Sequence, residues 1–123
     1  MAAAVKHPAL GEAEIAARLT RDLPGWSHSG GYIRRKFRTG EWKGALMLAA
    51  TAAHLAEAAW HHPDLIVTYS GLEVLLQSHD AKGITEKDFA LARKIDEVLL
   101  WRPGVEGGAL EGTPADMPYV RHG

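Results

Sequence analysis

Apolar residues at three- and four-residue steps predict three helices along the chain, and β-rich runs lie between them. The first helix is expected over 10–20, because leucine and isoleucine recur there at helical spacing and Pro24-Gly25 follows as a stop. A β-hairpin should then run from Trp26 through Ser29-Gly30-Gly31 into a strand over 32–38. Charged residues alternate along that second strand, so one of its faces is expected to be solvated.

A long central helix is predicted over 41–60, a stretch with no proline and a single glycine. Apolar residues recur along one side of it at helical steps. The other flank also carries Leu48, Ala52 and Leu55, so we expect the helix to be covered on more than one side, by the sheet and by a partner subunit.

Two further β-rich runs, 65–69 and 72–77, are joined by Ser70-Gly71, which suits a two-residue turn. The runs should pair as an antiparallel hairpin. With that turn Val67 stands opposite Val74, and the hairpin gains one uniformly apolar face.

The last helix is expected to begin after Thr85, with Asp88 three residues on as the acidic partner of a capping box, and to end before Pro103. Eight of the 21 residues from 103 to 123 are glycine or proline. Such a tail buries little and is expected to be extended or mobile. We therefore predict one domain over 1–102 and a glycine- and proline-rich tail over 103–123.

The composition fits one compact domain: the 123 residues are 46% hydrophobic and 24% charged. The absence of cysteine excludes disulfides and thiolate metal sites. No apolar run approaches the roughly 18 residues of a membrane span, and the N-terminus lacks the pattern of a secretory signal, so a cytoplasmic protein is expected. A net charge of −1 argues against direct nucleic-acid binding. The basic cluster within 34–38 is accordingly interpreted as a solvated strand face.

Three of the seven histidines are predicted to gather at one corner of the second hairpin. With Ser70-Gly71 as the turn, His62 and His79 stand opposite each other beyond the strands, on the face that is not the core. Opposed residues have Cβ atoms about 5 Å apart, close enough for two imidazoles to grip one small planar ligand. Because Pro63 disfavours helical backbone in the preceding residue, His62 should be extended while His61 still belongs to the helix.

Two carboxylates are expected beside these histidines. Glu57 precedes His61 by four residues, a spacing that puts both side chains on one helix face, where a carboxylate can fix the imidazole tautomer. Only a short segment separates His79 from Thr85, so the start of the last helix and Asp88 should lie nearby. The result is a titratable corner suited to general acid and base chemistry.

Each of these residues also has an ordinary structural explanation. Histidines at a helix end can cap its carbonyls, Asp88 completes a capping box, and Glu57 suits a solvated helix position. A zinc or iron site is a second alternative, but His61 and His62 should point in different directions and their spacing matches no standard ligand motif. The convergence of three histidines favours catalysis, and no metal is predicted.

The residues around this corner resemble the signature of the pterin-4a-carbinolamine dehydratases, also known as dimerisation cofactors of a homeodomain transcription factor. The matching residues are Glu57, Trp60-His61-His62-Pro63, Tyr69, Ser78-His79, Gly83 and Asp88. The spacing holds without a gap, and the likeness extends over residues 10–102.

The resemblance implies an α+β fold, with a four-stranded antiparallel sheet that carries the three helices on one face, and assembly into homodimers or homotetramers. It also implies a hydro-lyase. The family dehydrates 4a-hydroxytetrahydropterin, such as 4a-hydroxytetrahydrobiopterin, to the quinonoid dihydropterin, in tetrahydrobiopterin biosynthesis and recycling. The pterin is the substrate, and no cofactor is implied.

The family's catalytic histidines fall on His61, His62 and His79. We assign the proton transfers to the first and third of them, and the positioning of the pterin ring to the second. Glu57 and Asp88 fall on family positions that support the histidines or contact the pterin, and Ser78 sits where its backbone or hydroxyl can meet the ring. These three are the expected substrate-binding residues.

Trp60 and Ser78 depart from the family pattern, since a polar residue and a threonine are commoner there, and 38–42 replace a more aromatic stretch. These departures bear on pocket shape and subunit contacts more than on the chemistry. The main alternative function is a non-enzymatic interaction or assembly protein, a coactivator or chaperone on the same fold. Assembly factors of this kind have a degraded histidine set, so the intact set favours an enzyme. A third alternative is an enzyme acting on another pterin, such as a molybdopterin precursor.

Overall fold

The computed structural model describes residues 6–122, which form three α-helices and one four-stranded antiparallel sheet. The elements in chain order are α1 (Glu12–Asp22), β1 (Ser27–Ser29), β2 (Tyr32–Arg38), α2 (Trp42–Ala59), β3 (Asp64–Thr68), β4 (Gly71–Leu76), α3 (Glu86–Leu99) and a 3-10 turn (Pro103–Val105). The predicted α+β class is confirmed. Residues 1–5 of the predicted domain and 123 of the predicted tail lie outside the described residues.

The sheet has the order β1-β2-β4-β3, and every neighbouring pair is antiparallel. Gly30 and Gly31 form the first turn, with φ angles of 62° and 83°. Two successive left-handed residues are what a tight hairpin turn requires, and glycine adopts them at no steric cost. The first hairpin therefore forms where its glycine pair predicts.

The second hairpin turns one residue earlier than predicted. Its turn residues are Tyr69-Ser70, so Val67 pairs with Leu72 rather than with Val74. The cause is Gly71, which belongs to β4: a Cβ at this position would lie 2.8 Å from the backbone oxygen of Phe37 on β2. The glycine is needed for close strand contact and not for the turn.

This correction moves the pairing register by two residues. Because side chains alternate with a period of two, a shift of two leaves every residue on its predicted face. Leu72 and Val74 accordingly remain fully buried. The predicted direct opposition of His62 and His79 is wrong, however, since it depended on the turn at Ser70-Gly71.

All three helices contribute to one hydrophobic core on a single face of the sheet. Its members from α1, α2 and α3 include Ile15, Leu19, Leu48, Ala52, Phe89 and Ile95, and those from β2 and β4 are Ile33, Phe37, Leu72, Val74 and Leu76. The strand residues among them share one side, because Ile33 pairs with Leu76 and Phe37 with Leu72. The predicted arrangement of three helices on one sheet face is confirmed.

A polar network ties α3 to the first hairpin. The Trp26 indole N–H donates to Oδ1 of Asp96 at 2.9 Å, and the Arg35 guanidinium donates to Oδ2 at 3.1 Å. Burial raises the pKa of Asp96, while the hydrogen bonds from Trp26 and Arg35 act in the opposite direction. The network fixes α3, and with it the first turn that reaches the candidate site.

The tail after α3 is mostly exposed, but its end returns to the domain. Val120 forms a bridge with Thr39, and the Gly40 N–H donates to the Tyr119 carbonyl at 2.8 Å. A Cβ on Gly40 would lie 2.2 Å from Pro118, so only glycine permits this approach. Among residues 6–122 no helix combines the length and the hydropathy that a bilayer span requires.

Candidate active site

The C-terminal end of α2 determines where His61 lies in the candidate site. Trp60 adopts a left-handed conformation, with φ 53° and ψ 47°, directly after the last helical residue. The Trp60 N–H donates to the Glu57 carbonyl at 3.2 Å, and the His61 N–H donates to the Ala56 carbonyl at 3.1 Å. These two bonds form a Schellman motif, in which glycine is the usual left-handed residue because any other residue costs about 1–2 kcal/mol. His61 therefore lies beyond the helix, contrary to the prediction that it belongs to it.

From this position His61 meets the first turn of α3. Its Nε2 lies 2.7 Å from Oδ1 of Asp88. The Asp88 side chain is completely buried, and that of His61 is 14% exposed. The pair joins the end of one helix to the beginning of another, as the sequence predicted when it placed Asp88 near the histidines.

The second oxygen of Asp88 is held by two hydrogen bonds. The Ser78 hydroxyl donates to Oδ2 at 2.8 Å, and the Thr85 backbone N–H donates to it at 2.9 Å. Because the one Ser78 hydroxyl hydrogen points to Asp88, the Thr85 hydroxyl must donate to Ser78 across their 2.7 Å contact. The Thr85 Oγ1 in turn accepts from the Lys87 N–H at 3.2 Å.

This chain of hydrogen bonds fixes the tautomer of His61. Both carboxylate oxygens of Asp88 act as acceptors, so the His61 Nε2 must carry the hydrogen that it shares with Oδ1. In the neutral ring the remaining nitrogen, Nδ1, then has a free lone pair. The arrangement is that of an oriented general base that becomes a general acid once it is protonated.

His62 has its own carboxylate, which is Glu57. The His62 Nε2 lies 2.6 Å from Oε1 of Glu57, and both side chains are exposed, by 49% and 69%. The prediction that Glu57 supports His61 is wrong, because Glu57 contacts His62 instead. The Schellman motif directs His61 toward α3. Trp60 contacts His62 edge to face, with ring centroids 4.9 Å apart.

His79 lies in an exposed turn over 79–82 that follows β4. A bridge between Ser78 and Gly83 closes this turn, with the Ser78 N–H donating to the Gly83 carbonyl at 2.8 Å. His79 thus follows directly on Ser78, whose hydroxyl holds Asp88. The sequence placed all three histidines near the start of α3, and the link between His79 and His61 runs through Ser78 and Asp88.

A groove of about 690 Å³ runs between α2 and α3 beside this site. Its walls include Leu55, Trp60, His61, Lys87 and Leu91. The groove is open to solvent and largely apolar, with basic groups among its polar atoms. It is large enough to admit a small organic molecule beside His61.

Sequence reasoning treated Thr85 only as a helix cap and left it out of the site. The signal was present, because a capping box brings the Thr85 N–H and the Asp88 side chain together, and the structure shows both of its interactions. The spacing of Thr85 and Asp88 did not predict that the Ser78 hydroxyl also hydrogen-bonds within this capping box. Within the described part of the chain, no three His, Cys, Asp or Glu side chains are placed to hold a metal ion.

A sequence model described as pterin 4 alpha carbinolamine dehydratase matches residues 8–98. The chain belongs to the pterin-4a-carbinolamine dehydratase family. A relative from Chloroflexus aurantiacus is 47% identical over 75% of this chain and 98% of its own length. Another, from Aquifex aeolicus, is 43% identical over 73% of this chain and 90% of its own. Both relatives carry pterin-4-alpha-carbinolamine dehydratase in their names.

The fold also resembles that of a solved member of this dehydratase family. A crystal structure described as a transcriptional coactivator/pterin dehydratase from Brucella melitensis aligns with a TM-score of 0.67 and 34% sequence identity. The alignment covers 74% of this chain and 98% of the other. The tail after α3 therefore extends beyond what these dehydratases share with the chain.

Proposed function

We propose that this protein is a 4a-hydroxytetrahydrobiopterin dehydratase, a hydro-lyase that converts 4a-hydroxytetrahydropterin to quinonoid dihydropterin and water. The pterin is the substrate, and the reaction uses no cofactor and no metal. The observation that carries the proposal is the His61–Asp88 pair beside an open groove, in a chain that belongs to the dehydratase family.

The reaction requires one proton to be delivered and one to be removed. The C4a–O bond breaks as the departing hydroxyl takes up a proton and leaves as water. N5 loses its hydrogen, and its electron pair forms the C4a–N5 double bond. Imidazole groups titrate close to neutral pH and can either donate or accept a proton, so a pair of histidines can perform both transfers.

Within this mechanism His61 and His79 make the proton transfers, and His62 positions the ring. The oriented Nδ1 of His61 supports its role, because the Asp88 contact occupies the other ring nitrogen. The exposure of His79 supports access to a bound substrate. The exposed pair of His62 with Glu57 supports contact of both residues with the pterin.

Ser78 and Asp88 take part through His61 and not through the pterin. Both side chains are buried, and their oxygen atoms are already engaged with each other and with Thr85. We therefore assign them as positioning residues, which changes the substrate-binding role expected from the family resemblance. The Ser78 backbone is engaged too, since its N–H donates to the Gly83 carbonyl and its own carbonyl accepts from the Ala81 and Gly83 N–H groups.

The proposal is tested by stopped-flow measurement of quinonoid dihydropterin formation. We expect the unaltered protein to accelerate the reaction, and His61→Ala and His79→Ala each to lose most of that acceleration while circular dichroism shows an intact fold. His54→Ala, an exposed histidine on α2, is the matched control and should keep full activity. No acceleration by the unaltered protein would refute the dehydratase function.

The outer face of α2 supports self-association of the protein. Trp42, Leu46 and Met47 are each nearly half exposed on this helix, and such an apolar patch marks a contact surface. We propose that the patch joins copies of the chain into a homodimer or homotetramer. Sedimentation should show an oligomer that Leu46→Glu dissociates. A monomeric unaltered protein would contradict this assembly.

We further propose that the protein is cytoplasmic, with no membrane attachment and no direct nucleic-acid binding. Two arginines of the basic cluster on β2 support the absence of nucleic-acid binding, because acidic side chains pair with them. Arg34 donates to Glu73 at 2.8 Å, and Arg35 donates to Asp96. Retention of the protein on duplex DNA at physiological salt would contradict it.

A further inference from the structure

Trp60 combines two unfavourable features at one position. It is one of two non-glycine residues with positive φ in the described part of the chain, the other being Lys82. It is also the most exposed of the large hydrophobic side chains, at 75%. Glycine would serve the Schellman motif without strain, and it would not expose an indole to water.

Packing in the hydrophobic core does not compensate for the strain and exposure of Trp60. An indole that is three-quarters exposed gains little from burial, and its ring contact is with His62, edge to face at 4.9 Å. Strained, exposed residues that persist beside a catalytic group point to a role in function. Trp60 immediately precedes His61 and lines the groove with it.

We propose that Trp60 is a substrate-binding residue whose indole holds the flat ring of a reduced pterin beside His61 and His62. The identity of the ring rests on the proposed function. An indole presents a large apolar face at little conformational cost, and a planar heterocycle stacks on such a face. Trp60 and Glu57 both contact His62, so the indole lies beside two of the three histidines that we assign to the reaction.

The test relies on one substitution of Trp60 that should raise the thermal stability and lower the affinity for pterin. Trp60→Gly removes both the left-handed strain and the indole, so we expect its Tm to rise. Its affinity for 7,8-dihydropterin, which lacks the 4a-hydroxyl, should fall about tenfold by calorimetry, the effect of losing one stacking contact. Trp60→Phe keeps an aromatic ring and the strain, so its affinity should stay within about threefold with no gain in Tm.

Lys82→Gly is the matched control for strain, since it relieves the other left-handed residue without removing a ring. It should raise the Tm and leave pterin affinity unchanged. A lower Tm in Trp60→Gly would show that the tryptophan is structural and overturn the proposal, as would unchanged affinity in that variant. A protein that binds dihydropterin through Trp60 but fails to accelerate dehydration would keep this inference and refute only the proposed reaction.

Discussion

The Nε2 of His61 lies 2.7 Å from a carboxylate oxygen of the completely buried Asp88. This contact links a histidine just past the end of α2 to the capping box of α3, so an interaction that stabilises a helix also orients the histidine that we propose as a catalytic residue. The same carboxylate accepts from Ser78 and from the Thr85 backbone. Changes to this network should therefore affect stability and proton transfer to different degrees.

Asp88→Asn should abolish most activity while the fold survives. The asparagine oxygen must replace Oδ2 to keep the bonds from Ser78 and Thr85, which turns its amide group toward His61. His61 Nε2 then becomes an acceptor, and Nδ1 carries the hydrogen that blocks its action as a base. Loss of a general base or of its correct tautomer lowers kcat by about 10²–10⁴-fold. Stopped-flow kinetics with nitrogen NMR of His61 checks both effects, and an unchanged tautomer would contradict the assignment.

Ser78→Ala should lower stability and weaken activity less than Asp88→Asn does. The change removes a donor from Asp88 and an acceptor from the buried Thr85 hydroxyl, and an unsatisfied buried polar group costs about 1–3 kcal/mol. Urea unfolding measures this loss. Ser29→Ala, at an exposed position on β1, should change the free energy of unfolding by less than about 0.5 kcal/mol. Equal losses in the two variants would argue against the network.

The sequence was sufficient to predict the helices and strands and the approach of Asp88 to the histidines. Helical periodicity placed α2, and the spacing of Thr85 and Asp88 placed the cap of α3 and brought its acid toward the histidines. The partner of His61 was not predictable in the same way. A four-residue spacing assigned Glu57 to it, but the left-handed Trp60 ends the helix one residue early and turns the chain. Tryptophan carries no local signal for that conformation.

The turn and the tail escaped prediction because each depends on residues distant in sequence. Ser70-Gly71 has the composition of a turn, yet Gly71 is required where β4 meets β2. The composition of 103–123 predicted little burial, but the approach of Pro118 to Gly40 depends on one glycine 78 positions away. Local propensity does not contain such long-range contacts, which are tertiary in origin.

Stability should fall at acid pH through the pair of Arg34 and Glu73. The hydrogen bond from Arg34 holds the pKa of Glu73 below its usual value of 4.5. The pair therefore stabilises the fold fully above pH 4.5, and this stabilisation is lost as the pH falls through the lower, folded-state pKa. The Tm difference between the unaltered protein and Glu73→Gln should shrink in that range. Glu111→Gln, in the exposed tail, is the control, and an equal shrinkage there would rule out the pair as the cause.

Gly71→Ala should destabilise the protein because its methyl group has no space. The added Cβ would lie 2.8 Å from the Phe37 carbonyl oxygen, closer than real Cβ contacts occur, so β2 and β4 must move apart. Forcing such a shift into a packed sheet costs about 1–3 kcal/mol. Gly108→Ala is the matched control, since a Cβ at that tail position meets nothing within 4 Å. Urea unfolding of both variants gives the comparison. If Gly71→Ala were as stable as Gly108→Ala, the close approach of the Phe37 carbonyl would not be the reason for glycine at this position.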